Sequence, residues 1–329
     1  PIRFSYSMTA NCAYHRNPLN IATRLIAVVF MFFCCACSSF AVGSDTLMNE
    51  YAIEKLTLEE GFVSSEIYSI IQDRKGFLWF GTAENGVMRY DGRNVTLFEY
   101  DRSTASGLSH NDAGNLMLDK NGNIWVGTWG GGANKYNPAT GEFTRFAHDA
   151  TRDDALSSNR IQSLFHDASG DIWLGSYAEG LNKYLGGNSF ARIQAIEGKA
   201  DSLSHNRIWD IEDNDEHSLW VATSFGLNLL DKRTLSATHF FPEPDNKTGT
   251  GANEIRSILI ASNGRFYVAT QEGPFIFHPD TGEFTRQLTV NGTTLGQVNS
   301  MIEDHEGYIW FVTTNGIYRQ AMDEHAVEK

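Results

Sequence analysis

Short apolar runs alternate with turn-forming sequences through most of the chain, and residues 161–197 show the pattern. The run from Ile161 to Phe165 is followed by DASG, which places Asp first and Gly last in a four-residue turn and suits a tight hairpin. DIWLGS and LNKY follow as two further strands, separated by the turn YAEG. SFARIQAIE then alternates apolar and polar residues like a strand at the edge of a sheet. This pattern predicts four short antiparallel strands.

The four-stranded unit recurs six times along the chain. Its second strand carries an aromatic residue in the sequences WFGT, WVGT, WLGS, WVAT, YVAT and WFVT. These aromatic residues stand 46, 48, 47, 47 and 43 residues apart, at Trp79, Trp125, Trp173, Trp220, Tyr267 and Trp310. Repeated four-stranded units of this length are typical of propeller blades, which stack around an axis because each sheet has two apolar faces.

We therefore predict an all-β fold, a β-propeller of four-stranded antiparallel blades in residues 44–329, with repeats starting near 61, 107, 155, 202, 250 and 293. The N-terminal piece YAIEKLTLEEG resembles the fourth strand of a blade, while the sixth repeat stops after its third strand, NGIYRQ. The first strand in the chain could thus complete the last blade. Six blades could close in this way, or they could form part of a seven-bladed ring.

The repeated tryptophans and D-x-x-G turns both have structural interpretations. Tryptophans on second strands are expected to fill the space between neighbouring blades. The turns DRKG, DKNG, DASG and DHEG suit hairpins, and they become NDEH and ASNG in the fourth and fifth repeats. DKNGN has some likeness to a calcium loop, but its Gly is fourth rather than sixth, and Gly130 stands where a bidentate Glu is needed. We predict no metal site and no cofactor.

Residues 1–43 differ from the rest of the chain. Arg16 and Arg24 precede the apolar run LIAVVFMFFCCACSSFAVG, and no acidic residue occurs before Asp45. This order is typical of a secretory signal peptide, here with cleavage after Ala41 or Gly43. An uncleaved N-terminal anchor is the alternative, because the run is near the length that spans a bilayer. A lipoprotein acylated at Cys37 is a further alternative.

Cysteine content and charge restrict the class of protein. All four cysteines lie in residues 1–43, so the remaining chain has no disulfide framework. The formal charge of the full chain is −14, and removal of residues 1–43 leaves 23 basic against 40 acidic residues, a charge of −17. This acidity disfavours nucleic acids and anionic membrane surfaces as partners. Membrane attachment is expected only through the N-terminal segment or through C-terminal parts beyond this sequence.

The order of the strands within a blade determines which loops lie on each face of the ring, and one face is the better candidate for a ligand site. In a four-stranded meander, the loops that enter the first strand and those that join the second strand to the third lie on one face. The D-x-x-G turns lie on the other. The first face collects repeated asparagines and three aromatic residues, and we predict a binding site there. Its residues are Asn111, Trp129, Asn159, Arg160, Tyr177, Asn206, Arg207 and Phe225.

The residue types on this face suggest the chemistry of the ligand. Asparagines at turns commonly bond their own backbone, so a structural role is the main alternative for them. Rings on short Gly-rich loops would form an exposed platform, as binding sites often do. Such rings beside amide and hydroxyl groups suit an oligosaccharide or other small polar ligand. Arg160 and Arg207 could instead pair with a carboxylate, such as that of a uronic acid.

Residues 156–184, LSSNRIQSLFHDASGDIWLGSYAEGLNKY, resemble the two-component regulator propeller repeat. Repeats one to three match its usual form well, the fourth and sixth match in part, and the fifth matches poorly. The resemblance implies a periplasmic sensor region of a histidine kinase, hybrid two-component system or diguanylate cyclase. In that family the propellers, often two seven-bladed rings, precede a small sandwich domain, a transmembrane helix and the output domain. We expect this chain to be an exported N-terminal part of such a sensor, periplasmic or in the cell envelope.

Two further hypotheses stay open beside ligand sensing. The propeller could be a non-catalytic platform for protein interaction, with or without a homodimer. It could also be a propeller lyase or hydrolase, since His110 and His205 lie on the favoured face. However, the sequence has no HExxH spacing, no GxSxG and no phosphate-binding glycine loop, so we expect no enzymatic activity from this chain.

Overall fold

The computed structural model describes residues 61–64, 66–246, 251–287, 290, 293 and 295–322. The predicted signal segment 1–43 and nearly all of YAIEKLTLEEG lie outside these residues, as does the strand pairing expected to close the ring. Within the described residues, no helix has the length and apolar character needed to cross a membrane.

The described residues form six antiparallel sheets, one for each predicted repeat, and the all-β propeller is confirmed. Blade 1 contains β1 (Ile67–Gln72), β2 (Leu78–Thr82), β3 (Val87–Tyr90) and β4 (Val95–Phe98). Blade 2 contains β5 (Asn115–Leu118), β6 (Ile124–Gly127), β7 (Ala133–Asn137) and β8 (Glu142–Phe146). Blade 3 contains β9 (Ile161–His166), β10 (Ile172–Ser176), β11 (Leu181–Gly186) and β12 (Ser189–Ile193).

Blade 4 contains β13 (Ile208–Asp213), β14 (Ser218–Thr223), β15 (Gly226–Asp231) and β16 (Ala237–Phe240). A short 3₁₀ helix (Gly251–Asn253) leads into blade 5, with β17 (Ile255–Ile260), β18 (Phe266–Thr270), β19 (Gly273–His278) and β20 (Glu283–Arg286). In the described residues blade 6 has three strands, β21 (Val298–Glu303), β22 (Tyr308–Thr313) and β23 (Gly316–Ala321). Each sheet is a meander in chain order, and the first strands of consecutive blades contact one another from β1 to β21.

The repeated aromatic residues lie between blades, as their spacing predicted. Trp173 is fully buried and packs against Ile208 and Val221 of the next blade. Trp79 packs in the same way on blade 2, where its ring centroid lies 5.1 Å from that of Tyr136. Burial of rings of this size contributes a large part of the apolar stabilisation of a fold. In blades 1 to 5 the aromatic residue therefore joins its blade to the next one.

A hydrogen bond between each D-x-x-G turn and the tryptophan six residues later orients these rings. In blade 3, Asp167 Oδ1 accepts the backbone N–H of Asp171 at 2.8 Å, and its Oδ2 accepts the indole N–H of Trp173 at 3.0 Å. One carboxylate oxygen thus shapes the turn and the other holds the ring. The same indole bond occurs in blades 1, 2 and 6, from Trp79 to Asp73 (2.8 Å), Trp125 to Asp119 (3.1 Å) and Trp310 to Asp304 (2.6 Å).

The two blades with altered turns show what happens to this bond when the aspartate is replaced. Blade 4 has Asn214 in place of Asp, and its side-chain oxygen still accepts the indole N–H of Trp220 at 3.0 Å. Blade 5 has Ala261, and its ring is Tyr267, which has no indole N–H. The expectation that backbone geometry alone explains these aspartates is therefore wrong, because the carboxylates also satisfy a buried donor.

In blades 1 to 5 a Gly or Ala stands two positions after the aromatic residue and allows close packing between blades. A Cβ added to Gly175 would lie 2.7 Å from the side chain of Ile208 in the next blade, and one on Gly81 would lie 2.6 Å from the carbonyl oxygen of Ala113. Real Cβ atoms do not approach so closely, so blades 1 and 3 require glycine at this position of the second strand.

Replacement of Trp173 by Ala should lower the free energy of unfolding by about 3 to 5 kcal/mol, because it leaves a cavity between blades 3 and 4. Trp129 lies in a loop and is 40% exposed, so Trp129→Ala should cost much less. Chemical denaturation monitored by circular dichroism would compare the two variants. Equal midpoints would contradict the different roles assigned to the two rings.

Asp119→Ala should destabilise the fold by roughly 1 to 3 kcal/mol, because it leaves the buried indole N–H of Trp125 without its acceptor. Asp119→Asn should cost less, because Asn214 accepts the equivalent bond in blade 4. Denaturation midpoints of both variants would measure the difference. If the Ala and Asn variants were equally stable, the indole bond would not be the stabilising feature of this turn.

Candidate functional site

The two classes of loop predicted to share one face of the ring do meet there, and we call this the mouth face. The backbone N–H of Trp129, in the loop after β6, bonds the carbonyl of Asp112, which precedes β5. Tyr177, in the loop after β10, bonds the carbonyl of Arg160 in the same way. These bonds bring the loop aromatic residues next to the residues that enter the first strands.

A row of alternating aromatic and arginine side chains crosses the mouth face from blade 2 to blade 5. The rings of Trp129 and Tyr177 meet edge to face with centroids 4.7 Å apart. The guanidinium carbon of Arg160 lies 5.7 Å from the Trp129 centroid and 5.4 Å from that of Tyr177. The whole row, which we call the mouth row, consists of Trp129, Arg160, Tyr177, Arg207, Trp209 and Arg256.

Arg207 lies at the centre of the mouth row between two rings. Its guanidinium carbon is 4.2 Å from the centroid of Tyr177 and 4.0 Å from that of Trp209. The buried Nε of Arg207 makes no hydrogen bond in the structure. Burial lowers the pKa of the Arg207 guanidinium from its usual value, and nearby Arg256 acts in the same direction. Stacking, rather than hydrogen bonding to the protein, therefore holds this cation in place.

Arg256, at the blade 5 end of the mouth row, is held differently. Its guanidinium carbon lies 4.8 Å from the Trp209 centroid, and its Nη2 lies 2.8 Å from a carboxylate oxygen of Glu254. It also donates to the side-chain oxygen of Asn299 at 3.1 Å, and Gln271 donates to Glu254 at 2.7 Å. The charge of Arg256 is thus neutralised by the protein itself.

A cleft of about 680 Å³ adjoins the Trp129 end of the mouth row, between blades 2 and 3. Its walls include Trp129, Arg160, His148, Glu179 and Gln194. This volume lies in the range of small-molecule sites, and the lining combines an exposed ring with hydrogen-bonding groups. The mouth face can therefore accept a ligand that has both polar and apolar surfaces.

The predicted asparagines connect consecutive blades. The side-chain oxygen of Asn159 accepts the backbone N–H of His148, at the end of blade 2, at 2.7 Å. Asn111 and Asn206 make the same bond to Tyr100 and Ala195, at 2.5 and 2.7 Å. These oxygens therefore have a structural role, as turn chemistry suggested, and binding through Asn111, Asn159 or Asn206 stays a prediction.

The remaining predicted residues differ in their relation to the mouth row. Phe225 packs on Phe241 with centroids 5.0 Å apart, so the expected platform of three adjacent rings has two members from the predicted set, and Trp209 is the additional ring. His110 and His205 each accept a backbone N–H two residues ahead through Nδ1, at 3.0 and 2.9 Å. These histidines therefore serve the turns.

Sequence reasoning missed Trp209, Glu254 and Arg256. Each departs from the repeat at the start of a first strand, and that departure is the only signal in the sequence. The contacts between them depend on side chains that extend from one blade to the next, which linear spacing does not reveal.

The charge changes around the mouth at one position of the repeat, the position of Arg160, which lies just before the first strand of blade 3. Blades 1 to 6 have Glu66, Asp112, Arg160, Arg207, Glu254 and Gln297 at this position. Burial, together with the nearby charge of Glu84, raises the pKa of Asp112 to about 6. The mouth is thus acidic over blades 1 and 2 and basic over blades 3 and 4.

A pair of partly buried acids lies on the first strand of blade 4. Asp210 Oδ2 accepts the backbone N–H of Ile258 in blade 5 at 2.9 Å, and burial raises the pKa of Asp210 to about 6. Burial and the charge of Asp210 raise the pKa of Glu212 to about 8. Within the described part of the chain, no group of three or more His, Cys, Asp or Glu side chains has the arrangement of a metal site.

Comparison with known proteins identifies the repeats. A family model described as two component regulator propeller matches residues 61–84, 107–130 and 155–178. These are the first three of the repeats recognised in the sequence, and the resemblance stated from the residues is confirmed. No curated protein matches the sequence.

Several solved structures share the fold. The extracellular domain of BT3049 from B. thetaiotaomicron, described as a hybrid two component system, aligns with a TM-score of 0.69 and 23% identity. The alignment covers 82% of this chain and 35% of that domain. PorZ of Porphyromonas gingivalis, a surface component of the type-IX secretion system, aligns with a TM-score of 0.59 and 17% identity, over 77% of this chain and 38% of PorZ. This chain therefore spans little more than a third of the length of either protein.

An enzyme also shares the fold. Virginiamycin B lyase from Staphylococcus aureus aligns with a TM-score of 0.56 and 11% identity, over 79% of this chain and 85% of the lyase. Identity this low shows a common architecture and carries no information on chemistry.

The raised pKa of Glu212 predicts that stability falls as pH rises. A carboxyl group with a pKa of about 8 in the folded state, against an ordinary value of 4.5, binds its proton more tightly when folded. Its contribution is fully present below pH 4.5 and is lost as pH rises towards 8, by up to about 1.4 kcal/mol per pH unit. Glu212→Gln should therefore flatten the decline in denaturation midpoint between about pH 5 and pH 8.

Glu216 provides the matched control, because its side chain is 79% exposed on the same blade. Glu216→Gln should keep the pH dependence of the parent protein. An equal decline for the parent and the Glu212→Gln variant would contradict the buried, protonated state of this side chain.

Proposed function

Since the chain carries repeats of the two component regulator propeller family, we propose that it is the ligand-sensing propeller of an exported signalling receptor. Its fold is shared with the extracellular domain of a hybrid two component system. The proposed receptor would lie in the periplasm or cell envelope, with its kinase or cyclase in parts of the protein beyond this sequence. The proposed ligand is an oligosaccharide or similar small polar molecule.

The observation that carries this proposal is the exposed aromatic pair on the mouth face. Trp129 is 40% exposed and meets Tyr177 edge to face beside the 680 Å³ cleft. The repeated tryptophans of blades 1 to 4, by contrast, are buried between blades and are not available to a ligand. An aromatic ring left in contact with solvent beside hydroxyl, amide and guanidinium groups suits the apolar faces and hydroxyl groups of a sugar.

The aromatic and arginine side chains of the mouth face come from different blades. A ligand bound there would therefore contact several blades at the same time. A ligand shifts a conformational equilibrium only through its different affinity for the two states. A ligand that contacts blades 2, 3 and 4 at once would favour one arrangement of those blades, or of two propellers in a homodimer. His110 and His205 serve turns, so the proposal assigns them no catalytic step.

Simultaneous replacement of Trp129 and Tyr177 by Ala should lower the affinity for a cognate oligosaccharide by roughly tenfold or more, because both rings of the exposed pair are removed. Isothermal titration calorimetry against oligosaccharides from plant and bacterial polysaccharides would measure the loss, and circular dichroism would verify the fold. Chromatography of the ligand after incubation should recover it unchanged.

Leu185→Ala is a suitable control, since Leu185 is an apolar side chain that is 60% exposed near the end of the third strand, towards the opposite face. Asp119 and Asp167 of that face do not serve as controls, because they hold buried tryptophans. Loss of binding in the Leu185 variant alone would place the site elsewhere. Binding of a protein partner but of no oligosaccharide would favour an interaction platform, and a chemically altered ligand would favour an enzyme.

A further inference from the structure

Two of the three arginines in the mouth row make no ion pair with a carboxylate of the described residues, and Glu254 acts on Arg207 only from a longer distance. Arg256 makes an ion pair with Glu254 at 2.8 Å. Within the described residues, no carboxylate lies within 4.0 Å of the guanidinium nitrogens of Arg160 or Arg207. The three stack on the same set of rings, so Arg256 serves as an internal comparison. Unpaired cations close together are unusual in a chain with a net charge of −14.

The position of Arg160 and Arg207 within the repeat also distinguishes blades 3 and 4 from blade 5. Glu254 of blade 5 occupies the place that Arg160 and Arg207 occupy in blades 3 and 4. That glutamate neutralises Arg256, whereas blades 3 and 4 each have an arginine in place of the acid. The excess positive charge is therefore specific to the middle of the mouth row.

We infer that the mouth face recognises a carboxylate-bearing sugar, a uronic acid unit, through Arg160 and Arg207 on either side of Tyr177. This inference rests on the proposed function and specifies the class of its ligand. A guanidinium group stacked on rings keeps its plane fixed and its edge available, and a carboxylate fits that edge with two parallel hydrogen bonds. The ring of Trp129, which is 40% exposed beside Arg160, provides an apolar surface for the sugar next to the two cations.

The acidic residues on the other side of the mouth would determine the orientation of a bound acidic oligosaccharide. Asp112 stands in blade 2 at the position of the arginines, and Glu66 stands there in blade 1. A carboxylate placed over these blades would be repelled, whereas over blades 3 and 4 it would be attracted. An acidic oligosaccharide would therefore bind with its charged unit over Tyr177 and its uncharged units in the cleft beside Trp129.

Matched pairs of oligosaccharides test the inference. Oligomers from pectin, alginate and glucuronoxylan would each be compared with a carboxyl-reduced form, in which the same sugar ring lacks the charge. The full chain should bind at least one acidic series at least tenfold more tightly than its reduced form. Affinity should also fall as salt rises, because the ion pair is partly exposed. Sulfated, uronate-free oligosaccharides would show whether any anion suffices.

Substitutions then locate the charge recognition. Arg207→Gln should abolish the preference for the acidic form, and Arg207→Lys should restore little of it, because an ammonium group lacks the planar fork. Arg233→Gln is the control, since it removes the same charge from a turn of blade 4 on the opposite face and should leave binding unchanged. Circular dichroism would show that the Arg207 variants remain folded.

The outcomes separate this inference from the proposed function. Equal affinity for acidic and reduced oligomers, lost in the Trp129 and Tyr177 variant but kept in Arg207→Gln, would overturn the uronate inference and leave the oligosaccharide site intact. Tighter binding of sulfated, uronate-free oligomers would also overturn it. Binding of none of the acidic, reduced or sulfated series would contradict the proposed function itself.

Discussion

The hydrogen bond from a tryptophan indole to the first residue of its D-x-x-G turn is the interaction on which the rest of the structure depends. It fixes the ring that joins one blade to the next, and the same carboxylate closes the hairpin that supports the ring. Blade 4 keeps the bond with Asn214, and blade 5 loses Asp and Trp together. The bond therefore explains why blade 5, whose ring has no indole N–H, also has no side-chain acceptor at the first residue of its turn.

The two faces of the ring consequently differ in role, since one stabilises the fold and the other carries the side chains that vary between blades. The turn face and the space between blades contain the framework, including the ion pairs of Lys232, which lies 3.2 Å from Asp167 and 2.9 Å from Asp213 and thus connects blades 3 and 4. The mouth face is held by backbone bonds and by asparagine side chains. Its aromatic and arginine side chains can consequently vary between blades without loss of the fold, and they are the residues that distinguish one blade from another.

The sequence predicted most of the framework but only part of the site. The strands of blade 3 and the packing of Trp173 were predictable from local pattern and spacing, because the same strands and turns recur from blade to blade. The bond from Asp167 to Trp173 escaped prediction, since turn chemistry alone already explained an aspartate there. Arg207 was recognised as a candidate, but its position between Tyr177 and Trp209 depends on side chains of adjacent blades, and no periodicity encodes that contact.

The tryptophan indole N–H signals of an NMR spectrum would test the division between framework and site most directly, because all seven tryptophans lie in the described residues. On addition of a cognate acidic oligosaccharide, the signals of Trp129 and Trp209 should move. Those of the five tryptophans bonded to turn residues, Trp79, Trp125, Trp173, Trp220 and Trp310, should stay in place and exchange slowly with solvent. Movement of these five signals with Trp129 and Trp209 unchanged would contradict a ligand site on the mouth face.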